Sequence, residues 1–173
     1  MSTGSAALAA LFDNGVMWWG LAACGTAQLS KLVIELAVHR RWNPKVLIET
    51  GGMPSSHSAL LTGTAAGLGW QLGFADPLFA LAATMCFVVL YDASGVRRAA
   101  GLTAERVNGL VADAGGLVAG EPPARPLKQN LGHTRLEVLV GAVMGPAVAL
   151  PGLALVGSPL QLAQGLGLLS AVG

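Results

Sequence analysis

Apolar residues run in long blocks along this chain, and the breaks between blocks are few and chemically marked. From Gly15 to Val38, 24 residues pass with Lys31 and Glu35 as the only charges. At a 1.5 Å rise they reach about 36 Å, enough to cross a hydrocarbon core of about 30 Å. Asp13 and Asn14 offer a cap before this block, and His39, Arg40 and Arg41 close it at a membrane surface. A polar, glycine-containing loop leads to a second block, 58–74, broken by Gly73. Asp76 followed by Pro77 then caps a third, 77–91. A fourth block opens at Thr134 and runs to Leu150 or, through Pro151, to Val156. The last apolar run, 159–172, reaches only about 21 Å as a helix and reads as a span or a packed half-helix.

The stretch 92–133 differs. It holds five of the ten Lys and Arg residues, and its Glu121-Pro122-Pro123-Ala124-Arg125-Pro126 run cannot be a membrane helix. Val107, Leu110, Val111 and Ala114 recur there at i, i+3, i+4, i+7 behind a Thr103 cap, the pattern of a short amphipathic helix lying on a bilayer. The pattern as a whole predicts an all-α integral membrane helical bundle of four or five spans with an interfacial amphipathic segment, one domain over residues 1–173.

Composition agrees: 53% of the residues are hydrophobic and 11% charged, against about 25% charged in a soluble domain. With 24 glycines and 5% aromatics, the helices are expected to pack closely in lipid. Gly63-Thr-Ala-Ala-Gly67 and Gly141-Ala-Val-Met-Gly145 have the GxxxG spacing for such packing, within the chain or, as a second reading, in a homo-oligomer. Cys24 and Cys86 each lie in an apolar run and read as small hydrophobes; Trp18 and Trp19 read as interfacial or packing aromatics. A net charge of +1 makes nucleic acid an improbable partner, but the distribution of charge is informative. One helix, a hairpin and another helix put the 39–57 loop and the 92–133 segment on one side, with all ten basic residues there or in the adjoining helix turns. The positive-inside rule makes that side cytoplasmic and places the N-terminus outside; no Lys or Arg precedes Lys31, so the first apolar block is expected to be a retained span rather than a cleaved signal. The same asymmetry serves either insertion alone or a basin for an anionic substrate.

Two histidines begin two different helices at that side: His57 in Gly51-Gly52-Met53-Pro54-Ser55-Ser56-His57-Ser58, and His133 in Leu131-Gly132-His133-Thr134-Arg135-Leu136-Glu137. Helix N-termini bind phosphate through first-turn amides and the positive end of the helix dipole. An imidazole can attack phosphorus or protonate a leaving oxygen, so the pair offers both halves of a hydrolysis. No HExxH or paired Cys/His spacing points to a metal, and no cofactor is implied.

These two motifs, with Leu-Tyr-Asp-Ala-Ser-Gly-Val-Arg-Arg-Ala-Ala-Gly at 90–101, resemble the divergent branch of the type 2 phosphatidic acid phosphatase superfamily, related to vanadium-dependent haloperoxidases. The resemblance covers about residues 20–150 and implies membrane-embedded, metal-independent hydrolysis of a lipid phosphate or prenyl diphosphate through a phosphohistidine. It implies that His133 is the nucleophile, that His57 is the general acid, and that Ser56 lies at a phosphate-contacting position. Glu137 would orient His133 in place of the family's Asp, although Thr134-Arg-Leu-Glu137 also fits a capping box.

The basic positions depart from the family pattern. Lys31 is followed at the family's arginine spacing by Val38, and Leu127 stands where the third motif has Arg. Lys31, Arg97, Arg98 and Lys128 are therefore the candidate phosphate-binding cations. A lysine inside the first span is costly in lipid and demands a polar site or a partner such as Glu35, and Asp92 is a simple ion-pair partner for the two arginines. Two other functions fit the same sequence: an inactive relative that binds anionic lipid or scaffolds, and a transporter for a phosphorylated lipid.

Overall fold

The computed structural model describes residues 3–47, 51–113 and 125–168, and the regular structure among them is helical throughout. α1 (Thr3–Phe12) leads into α2 (Gly15–His39), and a 3-10 turn at Pro44–Leu47 folds back on α2. α3 (Ser56–Leu72), α4 (Pro77–Ser94), α5 (Val96–Asp113), α6 (Arg135–Leu155) and α7 (Pro159–Gly165) follow. Among the described residues, three stretches are long and apolar enough to cross a membrane, Gly15–Val38, Pro77–Ala112 and Arg135–Gly165. α3 has 17 residues, about 25 Å. It is the hub of the bundle, packed against α2, α4 and α6.

Short polar side chains start the helices by satisfying amides that have no partner within the helix. Asn14 accepts from Met17 N at 3.0 Å, Ser55 from Ser58 N at 3.4 Å, and Asp76 from Leu78 N at 2.8 Å ahead of Pro77. The Ser55 cap starts α3 two residues before the expected Ser58, and Gly73, at φ 94°, ends it. α6 continues to Leu155 through Pro146 and Pro151.

One expectation needs correction. The amphipathic helix begins at Val96, not Thr103, because only Gly95 separates it from α4 and the Arg97–Ala100 run favours helix; Thr103 is an interior residue whose hydroxyl donates to Ala99 O at 2.9 Å. Among the described residues, the run from Pro159 forms the seven-residue α7, about 10 Å, as the half-helix alternative has it. Ala114 and the Glu121–Ala124 part of the proline-rich stretch lie outside the described residues, as do 169–172 of the last expected span.

The core is built from residues with almost no side chain. On α6, Gly141, Gly145, Ala149 and Gly152 are buried along one stripe; on α3, Ser56, Ala59, Gly63 and Gly67 are buried facing their neighbours. A Cβ on Gly145 would meet Ala59 O at 2.5 Å and Gly63 N at 2.6 Å, and one on Gly63 would meet Gly145 O at 3.1 Å. Both GxxxG pairs are thus used inside the chain. At the end of the bundle away from the histidines, Gly152 admits the Trp19 ring, whose Nε1 donates to Gly157 O at 2.8 Å, and Ser158 Oγ donates to Asp13 Oδ1 at 2.7 Å. Lipid-facing surfaces stay apolar: Phe87, Val88, Tyr91 and Leu155 are largely exposed.

Gly145→Ala forces a methyl into backbone and is expected to cost about 1–3 kcal/mol, seen as a lowered melting temperature in detergent. Gly25→Ala, with nothing within 4 Å of the added methyl, is the control and is expected to leave melting unchanged or raised. Equal melting of the two variants would contradict the packing described.

Candidate active site

Four helix ends meet at one end of the bundle, and backbone hydrogen bonds join them. Ser55, the cap of α3, donates its N–H to Glu137 O of α6 at 3.0 Å, and His133 N donates to Ala93 O near the end of α4 at 2.9 Å. A Cβ on Gly141 would run into the Ser55 carbonyl, so this glycine sets how closely the two histidine-bearing segments approach. Gly132 is at φ 74° with its Cα against the Arg97–Arg98 backbone, a position that a side chain would block. Asn108 of α5 holds the strand of loop before it, donating to Leu127 O at 2.8 Å and accepting from Leu127 N at 2.9 Å.

The segments enclose a cavity of about 420 Å³ whose wall includes Lys31 and Glu35 of α2, Gly51 and Gly52, Arg98 of α5, and Glu137 of α6. Lys31 is 6% exposed and donates from Nζ to Gly51 O at 2.9 Å, which pins the glycine loop ahead of His57. An ammonium has three donors, so this bond leaves capacity for an anion.

His133, also 6% exposed, is not itself on the wall, although Gly132 before it and Glu137 beside it are. Its Nδ1 faces Glu137 Oε2 at 3.3 Å. The same oxygen accepts from Thr134 N at 2.8 Å, while Thr134 Oγ1 accepts from Glu137 N at 3.2 Å. The capping box and the histidine contact are therefore both present, made by one carboxylate. Burial pushes the His133 imidazole below its ordinary pKa; the Glu137 charge opposes this, and Lys31 and His57 add to it.

The remaining candidates separate clearly. Arg98 is on the cavity wall, whereas Arg97 is 63% exposed and paired with Asp92. Lys128 is exposed and off the wall. Ser56 is buried in the first turn of α3 beside the Ser55 cap. His57 is exposed in that turn and off the wall, yet near enough for its charge to act on His133. Sequence reasoning gave no site role to Gln129, Asn130 or Glu35 on the wall, or to Asn108 behind it. Glu35 was noted only as a neighbour of Lys31, and nothing in the local pattern distinguishes Asn108.

Residues 12–148 match the Divergent PAP2 family. The chain is 36% identical over 144 residues to the uncharacterized membrane protein YuiD of Bacillus subtilis (strain 168), covering 78% of this chain and 91% of that one. No solved structure matches the chain. With the family match running from before α2 into α6, across every helix that contributes to the cavity, this chain belongs to the divergent PAP2 family.

Proposed function

We propose that the protein is a membrane-embedded phosphatase for a lipid phosphate, acting through a phosphohistidine at His133. The observation that carries this reading is the buried His133–Glu137 pair beside a cavity walled by Lys31 and Arg98. A proton on Nδ1 directed at Glu137 leaves Nε2 with its lone pair, the form needed for attack on phosphorus. As the P–Nε2 bond forms, the P–O bond to the leaving group breaks and its oxygen takes a proton from His57. Water then attacks phosphorus, passing a proton to His57 and freeing His133. The sum is ester plus water giving alcohol plus inorganic phosphate. Lys31, Arg98 and the first-turn amides of α3 and α6 offset the charge on the equatorial oxygens, and Ser56 lies at the phosphate edge of α3. Arg98 supplies the guanidinium fork that suits phosphate, so Arg97 and Lys128 are left to the surface. The distribution of basic residues supports a cytoplasmic site with the N-terminus outside.

Phosphate release by purified protein from phosphatidate, phosphatidylglycerophosphate and a prenyl diphosphate tests the reading. His133→Ala is expected to lose turnover by about 10³ or more. Vanadate should inhibit by mimicking the in-line transition state, and EDTA should not. Turnover retained in His133→Ala, or lost in EDTA and restored by zinc or magnesium, would overturn the mechanism.

The two neighbouring arginines provide a second test. Arg98→Ala should raise KM or lower kcat by about tenfold or more, the loss of a charge-assisted contact, while Arg97→Ala should change either by less than about threefold. The reverse order would remove Arg98 from the site.

The acid limb of kcat/KM reports protonation of the nucleophile. Because burial lowers the His133 pKa, the limb should lie below the ordinary histidine value of about 6.5. Glu137 raises that pKa, so Glu137→Gln should move the limb further down and reduce kcat; Lys31 lowers it, so Lys31→Met should move the limb up. A limb above pH 7 that rises in Glu137→Gln would contradict a neutral His133 nucleophile.

A further inference from the structure

The cavity contains more than a phosphate needs. Lys31 and Arg98 bring two positive charges to its wall, but Glu35 and Glu137 bring two negative ones, so the formal charges of these four residues cancel. Glu137 is committed to His133 and the α6 cap. Glu35 has no part in the proposed phosphoryl transfer, yet it stands one helical turn beyond Lys31 on the same face of α2 and lines the same space. Gln129 and Asn130 add two amides to the lining. The cavity, of about 420 Å³, is larger than a single phosphate and has space beside it for part of a headgroup.

Resting on the phosphatase reading above, we infer that Glu35, with Gln129 and Asn130, is a headgroup-selecting wall, and that the substrate is a phosphate monoester borne on a hydroxylated headgroup. A carboxylate has about four acceptor positions, so it can receive a substrate hydroxyl alongside a protein contact, and the amides both donate and accept. A phosphatidate presents esterified oxygens next to its phosphate, with no hydroxyl to give. A prenyl diphosphate presents a hydrocarbon chain, again with no hydroxyl. The wall thus selects by hydrogen bonding: a hydroxyl donor gains bonds that neither phosphatidate nor a prenyl diphosphate can make.

The test compares four substrates in one detergent: phosphatidylglycerophosphate, phosphatidate, farnesyl diphosphate and soluble glycerol 3-phosphate. For the wild-type protein, kcat/KM is expected to be highest for one of the two hydroxylated monoesters. The lipid leading identifies a membrane headgroup as the source, and the soluble ester leading identifies a free phosphorylated polyol. In Glu35→Gln, the ratio of that kcat/KM to the phosphatidate value should fall by about tenfold, and its ratio to the farnesyl diphosphate value should fall alongside, since neither reference substrate carries a hydroxyl. Asn130→Ala, at an exposed loop position, should lower the first ratio in the same direction. Ratios within one sample do not depend on how much of it is folded, so a purely structural role for either residue would leave them unmoved. Wild-type preference for phosphatidate or the diphosphate, or ratios unchanged in both variants, would overturn this inference while leaving the phosphatase reading in place. Release of phosphate from none of the four would remove both.

Discussion

Close approach of α3 and α6 is the constraint on which the rest of the structure depends. Lipid tails are as apolar as leucine, so helices in a bilayer gain little from hiding apolar side chains, and association rests on contact between backbones and on buried hydrogen bonds. Gly141 and Gly145 remove the side chains that would hold α6 away from α3, and Ser55 N–H then reaches Glu137 O at 3.0 Å. One hydrogen bond and one glycine stripe thereby fix the distance between the segment that carries His57 and the segment that carries His133. Packing and site geometry are the same interaction seen at two places along the helix pair.

That arrangement lets single residues hold two roles. Glu137 closes the first turn of α6 through Thr134 and faces the His133 ring with the same oxygen, so the helix cap also holds the carboxylate beside the histidine. Lys31, taken into the first span, donates to Gly51 and so holds the loop before α3 while presenting its charge to the cavity. The loop before His133 is placed from the other side, by Asn108 on Leu127 and by Ala93 O on His133 N. A site assembled from helix ends and loop backbone in this way needs few charged residues, consistent with a chain in which only 11% are charged.

Departures from the family's basic motifs acquire a physical meaning here. Leu127 stands where an arginine is expected, and its backbone is clamped by Asn108. The arginine on the cavity wall is instead Arg98, in the first turn of α5, against whose backbone Gly132 packs without a side chain.

Much of this was legible in order along the chain. Long apolar blocks bounded by Asn14, Asp76–Pro77 and Thr134 determine helices at those places because capping and hydropathy are local properties. The two histidine motifs are local as well, which is why His57 and His133 stand out at the starts of two helices and in the family resemblance. Less was legible where near-neighbours compete: Arg97 and Arg98 are adjacent in sequence, and only the packing of α5 sends one to Asp92 and the other to the cavity. The choice between a cap and a histidine contact for Glu137 was likewise undecidable locally, since both partners lie within four residues, and the fold satisfies both. Hydropathy and local capping were enough for the membrane helices, their order and the two histidine motifs. Which cations face the cavity, that Glu35, Gln129 and Asn130 share its wall, and how near the two histidine segments come were decided only by tertiary structure, because those relations depend on helix rotation and backbone approach between segments distant in sequence.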